Sequence, residues 1–270
     1  MTQLMIQYGP ALINSALFIL GFFVLTLWVI SIRMGDSSIV DIFWGPGCAT
    51  VAWVIWFTCG ADSTRALAAL LAITLWGLRL GLYIGQRNRG AEDRRYARLR
   101  QHITAQGRRY GLYSLYAVFG MQGCFMWVCT LPMVVAIATP DQSGMGLLAW
   151  TGLAIWAAGL LVETISDLQM SRFRATRTDP HAVMDKGLWR YSRHPNYFGE
   201  MLVQWGLFLF ACDASPIGYL TVVGPLLLSY VIIGPLGANL LERRLGKKNP
   251  DYEDYVRRTS AFVPWPPRAG

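Results

Sequence analysis

Residues 187–201, GLWRYSRHPNYFGEM, gather Arg190, Arg193, His194, Pro195, Asn196 and Glu200 directly before the apolar run LVQWGLFLFA. Proline is favoured at the first position of a helix, so a helix is expected to start at Pro195. Its free N–H groups and dipole then point back at Arg190, Arg193 and His194. Together these make an anion site of the kind that holds a phosphate or pyrophosphate. Asn196 and Glu200 are four residues apart and share the inward face of the first turn. A carboxylate beside an anion site is repulsive unless it binds something else, such as ribose or a cation. A loop anchored to lipid headgroups accounts for the arginines but not for Asn196 or Glu200. The stretch reads as the phosphate-binding end of a cavity, one that takes a phosphorylated cofactor from the cytoplasm.

Three further places carry ionisable groups in or beside apolar runs, where each costs roughly 2.5–3.5 kcal/mol on insertion scales. Asp41 lies in GDSSIVDIFWGPG. Its S-x-x-D spacing from Ser38 allows a capping box, while the Gly45-Pro46-Gly47 that follows must distort a helix and line a cavity. Both readings of Asp41 stay open. Arg79 has Tyr83 four residues on along the same face and Arg87 beyond, which suits a cavity wall, although snorkelling to the surface is also within its reach. Glu163, Asp167, Met170 and Arg174 form one helical stripe. Its carboxylates either pair with Arg174 at the interface or accept from ribose hydroxyls or a carboxamide. Trp44, Gln122 and Trp127 supply the aromatic and amide lining expected around an apolar substrate.

The elements that must position these groups are membrane helices. The 270-residue chain is 54% hydrophobic and only 15% charged, against roughly 25% charged for a soluble domain. Seven apolar runs are long enough to cross about 30 Å of hydrocarbon: 10–32, 39–59, 65–86, 111–138, 144–167, 197–213 and 216–240. The N-terminus has no basic segment and no small-residue cleavage site, so the first run is expected to stay in the mature protein. Of 24 Lys and Arg, one follows the first run, eight lie in 87–110, six in 168–196 and seven after 240. These regions share one face, which the positive-inside rule makes cytoplasmic, with the N-terminus external. The expected fold is an all-α integral membrane protein of the inner cell membrane, a single domain over 1–270 with a cytoplasmic tail at 241–270.

Other patterns have structural readings. The net charge of +8 fits topogenesis and anionic lipid or small-molecule ligands better than nucleic acid. The five cysteines have no C-x-x-C spacing and the three histidines no H-x-x-H spacing, so no metal site is expected. GMGLLA at 144–149 follows no strand and is not a dinucleotide fingerprint. Gly77, Gly81 and Gly85 are spaced for close helix packing. Arg94, Arg95, Arg98 and Arg100 read as a solvated, lipid-facing run. The tail reads as a helix continuing from the last span, a turn at Asn249-Pro250 and a short amphipathic helix.

GLWRYSRHPNYFGE resembles the C-terminal signature shared by membrane sterol reductases, steroid 5-alpha-reductases and isoprenylcysteine carboxyl methyltransferases. The wider series VDIFWGPG, LWGLRLGLYIGQRNRG, MQGCFMW, SDLQMSRFR, HPNYFGE and PDYEDYVRRTSAFVPW is most similar to bacterial homologues of steroid 5-alpha-reductase. It covers roughly residues 40–265. That resemblance implies a seven-span enzyme using NADPH to saturate the conjugated double bond of a steroid or similar lipid-like enone. It implies cofactor contacts at Arg79, Asp167, Arg174, Arg193, His194, Asn196, Tyr197 and Glu200, and at the tail residues Arg243 and Arg244. Asp41, protonated in an apolar site, is the first expected proton donor and Tyr83 the second. Gln122 and Gly123 match the family's Gln-Gly pair. The chain departs from the pattern at Val40-Asp41, in place of the family's Gln-Glu. It also departs at Trp76 or Gly77, where the family has a tyrosine, and at Glu163, in place of Asn. The rival readings are an S-adenosylmethionine-dependent methyltransferase and a non-enzymatic lipid-binding protein.

Overall fold

The structure, a computed structural model, describes residues 2–90, 92–140, 144–179, 181–234, 237, 242 and 250–268. All regular structure among these residues is helical. Five helices are long and apolar enough to cross a membrane: Thr2–Met34, Thr64–Arg87, Tyr110–Ala138, Leu147–Thr176 and Pro216–Ile233. The other two runs expected to span also form helices, but each falls outside that group for a local reason. In the run 39–59, Phe43 leaves helical geometry (φ −88°, ψ 1°) and separates a four-residue turn, Ile39–Ile42, from Trp44–Cys59, which is only 16 residues long. The sixth run lies within Pro195–Ala214, whose apolar character is broken by Asn196, Glu200, Gln204 and Asp213.

The chain divides into two compact units, residues 1–150 with 207–222, and residues 151–206 with 223–270. In the first unit the glycine face of Thr64–Arg87 does what its spacing predicts. A Cβ on Gly45 would lie 2.5 Å from the Gly77 carbonyl oxygen, and one on Gly81 would lie 2.6 Å from the Pro46 ring. The backbones of two helices therefore touch, with only hydrogen atoms where side chains would stand. The Gly45-Pro46 segment that sequence reading assigns to a distorted helix is the partner of that face. Helix Thr2–Met34 widens into a π-type segment at Ile19–Thr26, and Tyr110–Ala138 does so at Leu115–Gly120. The first π segment packs on Gly123, where an added Cβ would meet Val24 at 2.6 Å and Ile19 at 3.2 Å.

The second unit repeats the device with its own glycines. Gly159 faces the Gly199 carbonyl, Gly199 faces the backbone of Glu163, and Gly206 faces the Gly152 carbonyl. Glycines seven apart in helix Leu147–Thr176 thus meet glycines seven apart in helix Pro195–Ala214 along one seam. Without a hydrophobic force between lipid-bathed helices, such close approach supplies dispersion contact that larger residues would prevent. Gly199→Val should destabilise the protein by about 1–3 kcal/mol or more through overpacking. The check is a lowered Tm in detergent, with Ala158→Val on the same helix pair as the comparison.

Candidate functional site

In the first unit, polar side chains converge on Asp41. Arg95 Nη2 donates to Asp41 Oδ2 at 2.7 Å and the Tyr96 hydroxyl donates to Asp41 Oδ1 at 2.7 Å. Gln122 Nε2 donates in turn to the Tyr96 oxygen at 3.1 Å. Three elements contribute: the turn Ile39–Ile42, the helix Arg94–Ala105 and the first turn of the α-helical stretch Met121–Ala138. Helix Arg94–Ala105 is started by Asp93, whose carboxylate accepts from the Arg95 backbone N–H at 2.9 Å and its Nε at 3.1 Å. Partial burial alone would raise the Asp93 carboxyl, but these bonds and the Arg95 charge outweigh it and hold the group below its ordinary range. Tyr96 is buried. Burial first, and then the neighbouring Asp41 charge, push its phenol well above the ordinary value, so it keeps its proton.

The capping-box reading of Asp41 is not realised. Ser38 makes no side-chain cap; its hydroxyl donates to Asp36 Oδ1 at 2.6 Å, leaving Asp41 to accept from Arg95 and Tyr96. The solvated-run reading of the arginines is corrected at two positions. Arg95 pairs with Asp41, and Arg100 pairs with Glu92 at 2.7 Å while donating to the Gly35 carbonyl at 2.7 Å. Tyr96 is the functional candidate that sequence reasoning missed. Its signal was present, since Tyr96 and Ile103 are seven apart on the inward face of an otherwise basic helix.

The other residues expected here are arranged around aromatic rings. The Arg79 guanidinium stands 5.7 Å from the centre of the Tyr83 ring, and that of Arg87 stands 6.0 Å from it. Trp44 meets Trp76 edge-on at 6.3 Å and Phe125 at 5.9 Å. Trp127 is directed elsewhere, its Nε1 donating to Ser15 Oγ at 3.2 Å.

In the second unit, the signature around Pro195 forms as expected. A 3-10 turn, Gly187–Arg190, precedes helix Pro195–Ala214. Gly187 is required at φ +60°, where a Cβ would strike the Gln169 side chain, and Leu188 N–H donates to Gln169 Oε1 at 3.0 Å. The Trp189 indole donates to the Ser166 carbonyl at 3.1 Å, seating the turn beside buried Glu163 and Asp167. Asn196, Tyr197 and Glu200 are half-buried in the first turn and a half of the helix, with Tyr197 stacked on His194 at 5.6 Å.

Arg193 and His194, expected to grip phosphate, are both directed at Glu242. Arg193 Nε and Nη2 form a fork on the two Glu242 oxygens at 2.9 and 3.0 Å, while Nη1 donates to the carbonyls of Val256 and Thr259 at 3.1 and 2.7 Å. His194 Nε2 stands 2.9 Å from Glu242 Oε1 and, facing a carboxylate acceptor, is the donor. Partial burial would raise Glu242, but the bonds from His194 and Arg193 dominate and hold it down at about 2. The guanidinium fastens the tail, because a planar fork matches one carboxylate and leaves its remaining edge for carbonyls. Ser192 Oγ donates to the Phe262 carbonyl, Tyr255 to the Trp189 carbonyl and Arg258 to Asp185. The short helix expected after Asn249-Pro250 forms as Pro250–Arg258, with Tyr252 and Tyr255 buried against protein. Arg174 and Arg190 are exposed. Arg243 and Arg244 lie outside the described residues.

Over residues 27–259 the chain matches the family described as protein of unknown function (DUF1295), and it belongs to that family. It is similar to an uncharacterised protein of the fission yeast Schizosaccharomyces pombe, 26% identical over 273 residues that cover 88% of this chain and 75% of the yeast protein. No solved structure matches it.

The Glu242 contact carries a sign. Its carboxyl lies at about 2 in the folded protein against an ordinary 4.5, so the unfolded chain binds more protons on acidification. The stabilisation is fully present above about pH 4.5 and is lost as pH falls towards 2. The Tm difference between wild type and Glu242→Gln should therefore be constant above about pH 5 and close below it; a gap that ignores pH means the carboxylate charge is not what holds the tail.

Proposed function

We propose that this protein is an NADPH-dependent membrane reductase that saturates the conjugated double bond of a lipid-like enone. The observation that carries the reading is the Gln122–Tyr96–Asp41 hydrogen-bond chain. When a hydride reaches the β-carbon of an enone, negative charge develops on the carbonyl oxygen. A protonated donor held there lowers the barrier. A phenol kept protonated by its surroundings, with Gln122 donating to its oxygen, becomes such a donor when a substrate carbonyl replaces Asp41 as the acceptor of its hydrogen. Asp41 then acts as the acceptor that positions Tyr96, and Tyr96 takes the role that sequence reading divides between Asp41 and Tyr83.

The cofactor reading rests on the donor set of the second unit. Asp167 is buried, and Asn196 and Glu200 are half-buried on one helix face. These groups suit ribose hydroxyls and a carboxamide. Exposed Arg174 and Arg190 are cations available for phosphates, now that Arg193 and His194 are directed at Glu242. Bound NADPH would supply the hydride; the chain's own residues would bind it, orient it and deliver the proton. An anion site favours a phosphorylated cofactor over S-adenosylmethionine, which has ribose hydroxyls but no phosphate, and the Arg193–Glu242 pair takes up part of that site. Methyl transfer is therefore the second reading. The proposed seat is the cell membrane, with seven spans.

Purified protein in mild detergent should bind NADPH in the micromolar range by thermal shift, more weakly in Asn196→Ala and Glu200→Ala. Binding of S-adenosylmethionine alone would sink the reductase reading. With a 3-oxo-Δ4 steroid as probe, Tyr96→Phe should lower kcat by about 10²–10⁴-fold, the usual contribution of a general acid, and leave NADPH affinity unchanged. An equal loss of both would make Tyr96 structural.

A further inference from the structure

The helix ends of the first unit that lie around Asp41 are tied together, and every described carboxylate among them has a protein partner. Trp28 Nε1 donates to the Gly111 carbonyl at 2.9 Å, and the Tyr110 hydroxyl donates to Ser37 Oγ at 3.0 Å. Glu92 accepts from Arg100 and from the Ser37 backbone N–H at 2.8 Å. Asp36 accepts from Ser38, Asp41 from Arg95 and Tyr96, and Asp93 from Arg95. Positive charge is left over. Arg33, Arg89, Arg94, Arg98 and Arg109 are all exposed and form no ion pair among the described residues.

Their positions are ordered. Arg33 is in the last turn of the span helix Thr2–Met34, Arg89 follows Thr64–Arg87, and Arg109 immediately precedes Tyr110–Ala138. Arg94 and Arg98 are four apart on the outward stripe of helix Arg94–Ala105, whose inward stripe carries buried Tyr96 and Ile103. A belt of guanidinium groups thus runs round the ends of three apolar helices, at the level where a bilayer presents its headgroups.

We infer that this belt is a docking surface for anionic phospholipid headgroups, and that helix Arg94–Ala105 lies on the membrane with its outward arginines on lipid phosphate. Charge complementarity selects the occupant. The belt is cationic, the local protein carboxylates are committed inward, and the anion available beside a span end is a lipid phosphate. Basic residues near an anionic surface are attracted by about 1 kcal/mol each, so several acting together order a helix of this length. The helix that the lipid holds is the one that carries Tyr96 and Arg95 to Asp41. Headgroup binding outside and the Asp41 contact inside therefore stabilise the same seat. The surface is independent of which cofactor the protein takes.

The test uses the full chain in nanodiscs of phosphatidylcholine alone and of phosphatidylcholine with about one-third phosphatidylglycerol, reading amide hydrogen exchange over 94–105. Exchange should slow by about thirtyfold or more in the anionic discs, the scale set by two or three such attractions. The triple variant Arg94→Gln, Arg98→Gln, Arg109→Gln should lose that response and match wild type in the neutral discs. Equal exchange in the two lipids overturns the inference, as does a triple variant that still responds. Inorganic phosphate reproducing the effect in neutral discs would show an anion site in place of a lipid surface, and would overturn it too.

Discussion

Backbone contact at glycine is the constraint on which both units depend. Apolar side chains gain little by leaving hydrocarbon for one another, so helices in such a chain must hold together by close, dense approach. Gly45, Gly77 and Gly81 allow it in the first unit, and Gly159, Gly199 and Gly206 in the second; an added methyl at any of these would lie within about 2.7 Å of neighbouring atoms. The polar groups at the helix ends are placed by these seams. Asp41 sits one turn before the Gly45-Pro46 contact, and Asn196 and Glu200 flank Gly199. A change of spacing along either seam would carry the polar residues out of register with their partners.

Each unit then solves the same electrostatic problem with a carboxylate and a guanidinium from distant parts of the chain. Arg95 is 54 residues from Asp41, and Arg193 is 49 from Glu242. The outcomes differ in kind. The Arg193 pair is bidentate, adds two backbone carbonyls and locks a tail in place, leaving the guanidinium little capacity for a ligand. The Asp41 pair leaves Arg95 half-exposed and shares the carboxylate with a phenol. The first arrangement fixes a segment of chain, and the second leaves a half-exposed guanidinium and a phenol sharing one carboxylate. This difference is what supports the proposal of proton chemistry at Tyr96, and it directs the Arg-His pair of the signature at Glu242.

The helical class, the five strongest apolar helices, the small-residue face at Gly77 and Gly81, and the helix start at Pro195 were all legible in the sequence, because each depends on local periodicity and backbone preference. The seam between Gly152, Gly159, Gly199 and Gly206 was also written there as two seven-residue spacings, but only the fold shows that the two sets meet. The break at Phe43 and the polar residues of Pro195–Ala214 weaken two of the seven runs for reasons that hydropathy alone blurs.

The sequence by itself determined which residues are costly in an apolar chain, and so which ones need partners: Asp41, Asp167, Arg193 and Glu200 all stand out from composition and position. Tertiary structure decided who the partners are. A guanidinium will satisfy a phosphate, a headgroup or a carboxylate equally well by type, and only three-dimensional proximity gave Arg193 to Glu242 and Arg95 to Asp41. Tyr96 shows the same rule from the other side. In sequence it is one aromatic in a basic run, and it became a candidate acid because folding buried it between an amide and a carboxylate, which keep it protonated at rest and fix the direction of its O–H.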